Sequence, residues 1–441
     1  MQKKLHGEIS AGAPPFFILT KNPLLISYLV SIFNLISIIG IIYLASKYLS
    51  KTTGLVSGLI LATQPWWVIF SRMIYQPTPV VSLMIISMIL FFLIIKKPNS
   101  IFYTFYIFLS VFLIEIYIHT SSFVVISVLL IILYLKKKIF NKFLVLGVFL
   151  SLFLIVPFFV NFVKEDYLPI NKISIDESYK IGRDDPITRL GSIIPGYLKT
   201  FSGGSMEYQL GYSYNEFYTR FPLLRYSELL ILILTIVVIF YHIIKIYFFE
   251  ELRFERIVFL LWSFSPLFFL ILMPLPNVPP IPRYFLISFP SLAILCGLFF
   301  SEVYSKTKIV LSMLLIPAVW IFFTYSYSIF INNYDFSNGH LSVYSDSQYL
   351  FLFNSIKSAK KDNFNNGHKN MIVSNDENSP KEFSLDYATK YTLTNIYNDN
   401  LIKLDDDIGY YLIDYSLGKD DQRFKMIGRF GPYSLYEFKD L

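Results

Sequence analysis

Leu61-Ala-Thr-Gln-Pro-Trp-Trp-Val-Ile-Phe-Ser-Arg-Met-Ile-Tyr-Gln-Pro-Thr-Pro79 decides how the rest of the chain is read. An apolar run closes on a tryptophan pair, a lone arginine follows, and Pro77 and Pro79 interrupt the backbone before the next apolar run. Tryptophan favours the headgroup level of a bilayer, where its ring is covered and its N–H is wet. The pair is therefore expected at a membrane edge, with Arg72 just outside the hydrocarbon on a short crossing between helices. An arginine held there either snorkels to water or faces a charged substrate.

Outward from this stretch the chain carries ten apolar spans: about 24–46, 54–70, 78–95, 101–118, 120–135, 143–160, 226–246, 257–273, 284–301 and 309–331. The first is about 34 Å long as a helix, enough to cross a bilayer. Of the 441 residues 54% are hydrophobic and 16% charged, with a mean hydropathy of +0.53, which excludes an ordinary soluble domain. The net charge of +7 lies in short clusters between the apolar runs, so it does not point to nucleic acid. Cys296 is the single cysteine, so no intrachain disulfide exists, and its apolar surroundings read as packing. The five histidines show no metal-ligand spacing. Met1 to Glu8 has lysines but no apolar core directly behind it, so it is not a signal peptide.

Basic residues set the expected orientation. Lys47, Lys51, Lys96, Lys97, Lys136 to Lys138, Lys142, Lys245, Arg253, Arg256, Lys306 and Lys308 fall on one side. The positive-inside rule makes that side cytoplasmic. Arg72, His119, the loop 161–225, Arg283 and the C-terminal tail are then outside, and so is the N-terminus. Ile9 to Thr20 is too short to span and is broken by Pro14-Pro15, so it reads as interfacial or re-entrant.

The expected fold is an all-α polytopic membrane protein of about ten transmembrane helices with a small C-terminal α/β domain outside the membrane. Its parts are an external remnant at 1–23, a transmembrane domain at 24–334 with the external loop 161–225, and the extracytoplasmic domain at 335–441. Within the last, Ser345-Asp-Ser-Gln348 is a capping box opening an amphipathic helix. Met371 to Val373, Tyr410 to Asp414 and Met426-Ile427 read as strands, and Gly431-Pro432 turns the chain into Tyr433 to Phe438.

Several pieces in order resemble the GT-C membrane glycosyltransferases, specifically the family 39/83-like enzymes that depend on a lipid carrier. They are Ser10 to Phe17, Asn22-Pro-Leu with Asn34, Leu61 to Arg72, Ile118-His-Thr-Ser121, Val156-Pro-Phe158 and Pro282 to Pro290. The resemblance covers roughly 9–331 and implies sugar transfer from a polyprenyl-phosphate donor to an acceptor on the outer face of the plasma membrane. No cofactor is implied beyond the lipid-phosphate sugar itself, which is substrate, and use of a divalent metal stays open. The implied mechanism has an acid in the first external loop acting as base on the acceptor, while cations hold the donor phosphate. Two departures bear on this. The first helix and the aspartate-bearing start of the first loop are absent, which leads us to expect a truncated frame lacking its catalytic acid; Glu8, the nearest acid, does not match the position. Gln76 also stands where relatives often carry an acid.

The candidate substrate-binding residues are Arg72, Tyr75, Gln76, Glu115, His119, Glu165, Asp166, Arg283 and Tyr284. Arg72 and Arg283 are the phosphate candidates, each weighed against snorkelling. Helical spacing of four puts Glu115 and His119 on one face, as a polar pair lining a cavity or as partners across a helix contact. Glu165 and Asp166, the first acids after a span, suit a metal or acceptor, or are simply solvated. The aromatic residues of 201–221 suit sugar stacking or an interfacial helix. Two other classes stay open: a transporter or lipid flippase, which calls for two related halves with broken helices, and a non-catalytic membrane scaffold.

Overall fold

The computed structural model describes residues 23–71, 77–164, 186–206, 210, 214–272, 282–303 and 306–333, with four strand segments at 370–373, 410–414, 424–430 and 433–438. Thirteen helices run through it among the described residues. They are α1 (Pro23–Tyr48), α2 (Lys51–Thr63), α3 (Pro65–Phe70), α4 (Pro77–Lys96), α5 (Phe102–Ile116), α6 (Ser121–Leu135) and α7 (Lys142–Lys164), then α8 (Pro186–Phe201), α9 (Tyr214–Arg220), α10 (Pro222–Phe248), α11 (Arg253–Leu272), α12 (Phe289–Val303) and α13 (Lys306–Asn333). Among the described residues, six segments are long and apolar enough to cross a membrane: Tyr28–Tyr48, Pro79–Lys96, Ile118–Leu135, Pro222–Phe248, Arg253–Ile271 and Pro282–Val303. Shorter apolar helices lie at Phe102–Ile116, Lys142–Val156 and Leu315–Phe330. The chain is a multi-pass membrane protein, mostly helical.

It divides into two compact units, one holding Ser27–Gly204 and Tyr226–Ile321, the other Ser205–Arg225 and Phe322–Leu441. In the first, Pro282–Val303 is the central element, with 94% of its most apolar window buried, while the outer helix α10 has only 28% of its window buried. Apolar side chains fill the exposed faces too, Leu133, Phe149, Phe153, Leu230 and Phe240 among them. A soluble protein avoids such a surface; lipid, as apolar as leucine, removes the penalty.

Because lipid cancels the hydrophobic drive between helices, close packing and polar contacts hold them. Small residues let α2 and α12 touch: a Cβ at Gly297 would stand 2.7 Å from the Thr53 carbonyl oxygen and 3.0 Å from the Ser57 nitrogen. Thr53 and Ser301 hydroxyls bond at 2.9 Å across the same contact. Thr104 donates to the Phe143 carbonyl at 2.8 Å between α5 and α7, and a Cβ at Gly147 would meet the Thr104 backbone at 3.2 Å. Trp262, wholly buried on α11, donates to Ser127 of α6 at 2.7 Å.

The Lys-rich helix ends gather. Arg256 of α11 pairs with Glu302 of α12 and donates to His242 Nδ1 of α10 at 2.8 Å. A guanidinium has no acceptor, so this Nδ1 is the bare nitrogen and Nε2–H donates to the Leu295 carbonyl at 2.8 Å. His242 is thereby fixed as a neutral imidazole. Asn141 joins the 136–141 turn to the Pro98 carbonyl at 3.1 Å.

In the second unit Phe217 of α9 is buried against Phe323 and Phe330 of α13, with ring centroids 5.8 and 5.2 Å away. Its four-stranded sheet has the order β1-β2-β4-β3, with β1 (Asn370–Val373) parallel to β2 (Tyr410–Asp414) and β4 (Tyr433–Phe438) antiparallel to β2 and β3 (Phe424–Phe430). The expected strands match these elements, whereas the turn expected at Gly431-Pro432, the helix expected after Ser345 and the interfacial segment Ile9 to Thr20 lie outside the described residues.

Two expectations need correcting. The span read as one helix over 54–70 is broken at Gln64, because Pro65 forces the residue before it into extended backbone (φ −60°, ψ 123°). The loop 161–225 begins later and contains more helix than expected, since α7 runs to Lys164 and α8 occupies Pro186–Phe201.

Gly297→Val should therefore lower stability by about 2 kcal/mol through overpacking. Gly191→Ala, whose added Cβ would meet nothing within 4 Å, should be neutral or stabilising by up to about 1 kcal/mol. Thermal unfolding of the purified protein in detergent measures both.

Candidate substrate site

At the ends opposite the lysines the backbone is irregular in three places, and polar side chains converge there. The first is the quoted stretch. Gln64 is fully buried and caps α3: its Oε1 accepts from Trp67 N–H at 2.6 Å, and its Nε2 donates to the Thr200 and Phe201 carbonyls at 3.1 and 3.2 Å. Trp66 donates to the Gly204 carbonyl at 2.6 Å, and Trp320 to the Ser202 carbonyl at 3.2 Å. Gly203, at φ +98°, occupies the left-handed region that favours glycine. A Cβ there would also stand 3.2 Å from the Pro65 ring. The expected membrane-edge tryptophans are thus corrected: Trp66 is 0% and Trp67 4% exposed, and Trp66 satisfies its N–H on a buried turn. The pair is core, docking α3 onto the end of α8.

The second break follows α5. Tyr117 is extended (φ −149°, ψ 101°), and Ile118–Thr120 form a single tight turn before α6. Thr120 closes it by donating to the Tyr117 carbonyl at 2.9 Å. The third is the turn Pro282–Ser288 leading into α12. These two breaks meet around His119. Its ring stacks on Tyr284 (centroids 4.4 Å apart, planes at 13°) and on Tyr117 (4.5 Å, 24°), with Phe269 of α11 a further 4.5 Å contact. Arg283 lies over Tyr284, its carbon Cζ 5.2 Å from the ring centroid, and its Nη2 reaches the Tyr284 hydroxyl at 3.4 Å. The Tyr117 hydroxyl donates to the Arg283 carbonyl at 3.5 Å. Arg283 and His119 thus share the Tyr284 ring as a contact.

Among the described residues neither ring nitrogen of His119 has a hydrogen-bond partner, although both are buried. An imidazole carries at least one N–H, and leaving it unmatched costs free energy. An anion beside Arg283 and His119 would accept that N–H and meet the guanidinium's fork of donors. The arrangement suits a phosphate oxygen. No group of three His, Cys, Asp or Glu that could hold a metal ion occurs among the described residues.

The sequence-named residues therefore divide. His119, Arg283 and Tyr284 come together. Glu115 does not join them as expected: α5 ends at Ile116, so the four-residue spacing to His119 is not helical, and Glu115 is exposed. Glu8, Arg72, Tyr75, Gln76, Glu165 and Asp166 lie outside the described residues. Sequence reading does not single out Gln64, Tyr117, Phe269 or Glu228; the last is a carboxylate only 9% exposed beside Gly204. A Gln before Pro at the end of an apolar run is the cap signal that marks Gln64. Tyr117 and Phe269 carry no such mark. The amphipathic α8 is legible in the spacing of Ile193, Tyr197 and Phe201, all buried. The free thiol of Cys296 is buried, as its apolar surroundings imply.

No protein-family model matches the chain, and no curated protein does. Among solved structures it is similar to ArnT from Cupriavidus metallidurans bound to undecaprenyl phosphate, at 12% identity and a TM-score of 0.48, over 93% of this chain and 84% of that one. The apo crystal structure of the same protein gives 12% identity and a TM-score of 0.48 over 93% of this chain and 83% of that one. At that TM-score the likeness carries no argument about what this chain does.

Gln64→Leu should cost about 3 kcal/mol, since it leaves the Trp67 N–H and two carbonyls without the partner they now have. Gln64→Glu keeps the acceptor for Trp67 and should cost less at a pH where its carboxyl is protonated. The midpoint of thermal unfolding orders the three proteins.

Proposed function

We propose that the chain is a membrane glycosyltransferase of the GT-C kind that takes a sugar from a polyprenyl-phosphate donor, undecaprenyl phosphate being the model carrier. The observation that carries the reading is the His119–Arg283 pair: a guanidinium fixed over Tyr284, beside a buried imidazole whose nitrogens have no partner among the described residues. In this reading Arg283 binds the donor phosphate in a forked contact. His119 donates one further hydrogen bond, and both act most strongly as negative charge grows on the leaving phosphate. Tyr117 and Tyr284 hold the imidazole by stacking, which fixes the direction of its N–H.

Arg72 is proposed as a second phosphate contact, on the strength of its place in the quoted stretch, with Tyr75 and Gln76 beside it. Glu165 and Asp166 belong to the acceptor side of the same reading. The base that activates the acceptor is not assigned to a residue. The fuller architecture proposed is about ten transmembrane helices, with the Lys-rich ends cytoplasmic and the site, the loop after α7 and the C-terminal sheet on the outer face. Partners in this reading are membrane lipid and the polyprenyl-phosphate sugar. The acceptor is a molecule of the cell envelope.

Undecaprenyl phosphate, the lipid product of such a transfer, should raise the unfolding midpoint of the purified protein. Arg283→Ala should abolish the rise while leaving the midpoint of the free protein near that of wild type, because the guanidinium is partly exposed. Where transfer from undecaprenyl-phosphate sugars is measured directly, Arg283→Ala should slow it by about a hundredfold or more. Arg283→Lys should fall between, keeping the charge and losing the fork. Transfer unchanged by Arg72→Ala would overturn the role given to Arg72, and a midpoint rise unchanged in Arg283→Ala would overturn that given to Arg283.

A further inference from the structure

At the other end of the helices, α1 and α4 each carry a lysine in the last turn, Lys47 beside the terminal Tyr48 of α1 and Lys96 at the end of α4. Lys47 Nζ lies 5.9 Å and Lys96 Nζ 4.5 Å from the centroid of one ring, that of Tyr48. Lys47 also donates to the Tyr43 hydroxyl. The Tyr48 ring is held in place by stacking on Phe92 at 4.6 Å. Its hydroxyl is buried and has no hydrogen-bond partner among the described residues. The Lys96 ammonium likewise has neither ion pair nor hydrogen bond among them. Two cations thus converge on one tyrosine whose own donor is unused.

Among the described residues no carboxylate pairs with either lysine. From residue 9 to residue 164 the sequence holds a single acid, Glu115, and it lies at the opposite ends of the helices. Over the same stretch eight lysines, from Lys47 to Lys142, fall at this end. The later helices differ: there Glu250, Glu251, Glu255 and Glu302 accompany the basic residues, and Arg256 has its carboxylate. The imbalance is confined to the first half of the rim.

We infer that the α1–α4 helix ends form a binding site for the phosphate of an anionic phospholipid, held by Lys47, Lys96 and the Tyr48 hydroxyl. Tyr48 and Lys96 are the last residues of their helices, which sets them at headgroup depth rather than in bulk water. A phosphodiester between the two ammonium groups removes their mutual repulsion and accepts the tyrosine proton as a hydrogen bond. An anionic lipid leaves that charge balance intact, whereas a zwitterionic one brings a competing ammonium of its own. Basic pockets between helices at a membrane surface gain from such headgroups in proportion to their lysines. The site is separate from the one around His119 and does not depend on its reading.

The test uses the full chain in vesicles of phosphatidylcholine mixed with phosphatidylglycerol, followed by extraction and native mass spectrometry to count retained lipid. Wild type should retain phosphatidylglycerol in preference to phosphatidylcholine. Lys47→Gln with Lys96→Gln should bind it roughly thirty-fold more weakly, about fivefold per lysine. Tyr48→Phe, which keeps the ring and removes the hydroxyl, should weaken it less. Lys136→Gln with Lys138→Gln, a change at exposed lysines elsewhere on the rim, should leave retention near wild type. Equal loss in that control would show diffuse attraction and overturn the site. So would undiminished retention in the Lys47/Lys96 variant, equal retention of phosphatidylcholine, or release of the lipid by inorganic phosphate at constant ionic strength.

Discussion

One primary amide holds together the part of the membrane domain on which the rest depends. Where α2 gives way to α3, Pro65 removes a backbone donor and forces Gln64 out of helical geometry. In hydrocarbon an unpaired backbone group costs several kcal/mol. Gln64 meets that cost from both ends of its amide, accepting from Trp67 N–H and donating to the last carbonyls of α8. The same three bonds therefore repair a helix break and fasten an amphipathic helix to it. Trp66 and Trp320 repeat the device by capping the carbonyls of the 202–204 turn.

With that end fixed, the rest of the packing follows the logic of a lipid solvent. Helices touch through Gly, Ser and Thr, because van der Waals contact and hydrogen bonds remain when water gives no drive. The polar bonds are few and each joins distant parts of the chain: Trp262 to Ser127, Thr53 to Ser301, Arg256 to His242 and Glu302. The last is a strongly charged contact buried within the bundle, and its geometry keeps the histidine neutral. A protonated His242 would place two positive groups face to face.

Much of this was legible from the order of residues. Apolar runs of sufficient length mark the spans, prolines mark their ends, and lysine clusters mark one face. What the order of residues did not reveal is where a tryptophan's N–H finds its acceptor. The rule that puts Trp at the headgroup level assumes water as that acceptor, and Gly204 supplies it instead from 138 residues away. The Glu115–His119 pairing failed for a related reason. Helical spacing presumes an unbroken helix, and the run Tyr117 to Thr120 contains no proline or glycine to announce the break. The turn is imposed by tertiary contacts, above all the stacking of His119 between two tyrosines and a phenylalanine. His119, Arg283 and Tyr284 were legible as separate polar residues near span ends, but their meeting was not, since Tyr284 lies 165 positions beyond His119 in the sequence.

The distribution of irregular backbone bears directly on function. The breaks at Gln64, at Tyr117–Thr120 and at Pro282–Ser288 all lie at the ends opposite the lysines. Non-helical backbone at membrane depth persists only where protein buries it or where it lines a cavity. The first break is mended by the Gln64 amide, the other two are tight 3-10 turns, and all three carry polar side chains at this end of the helices. Two of them stack an imidazole between two phenol rings, one of which also carries a guanidinium over it. The remaining one packs beside them, because Tyr197 and Phe201 of α8 stack edge-on against Phe285, the residue after Tyr284, and Phe289, the first residue of α12. The amide of Gln64 holds α8, α8 braces the 282–288 turn, and that turn carries Arg283. A change at Gln64 is thus expected to reach Arg283 through packing alone, with no charge altered on the way.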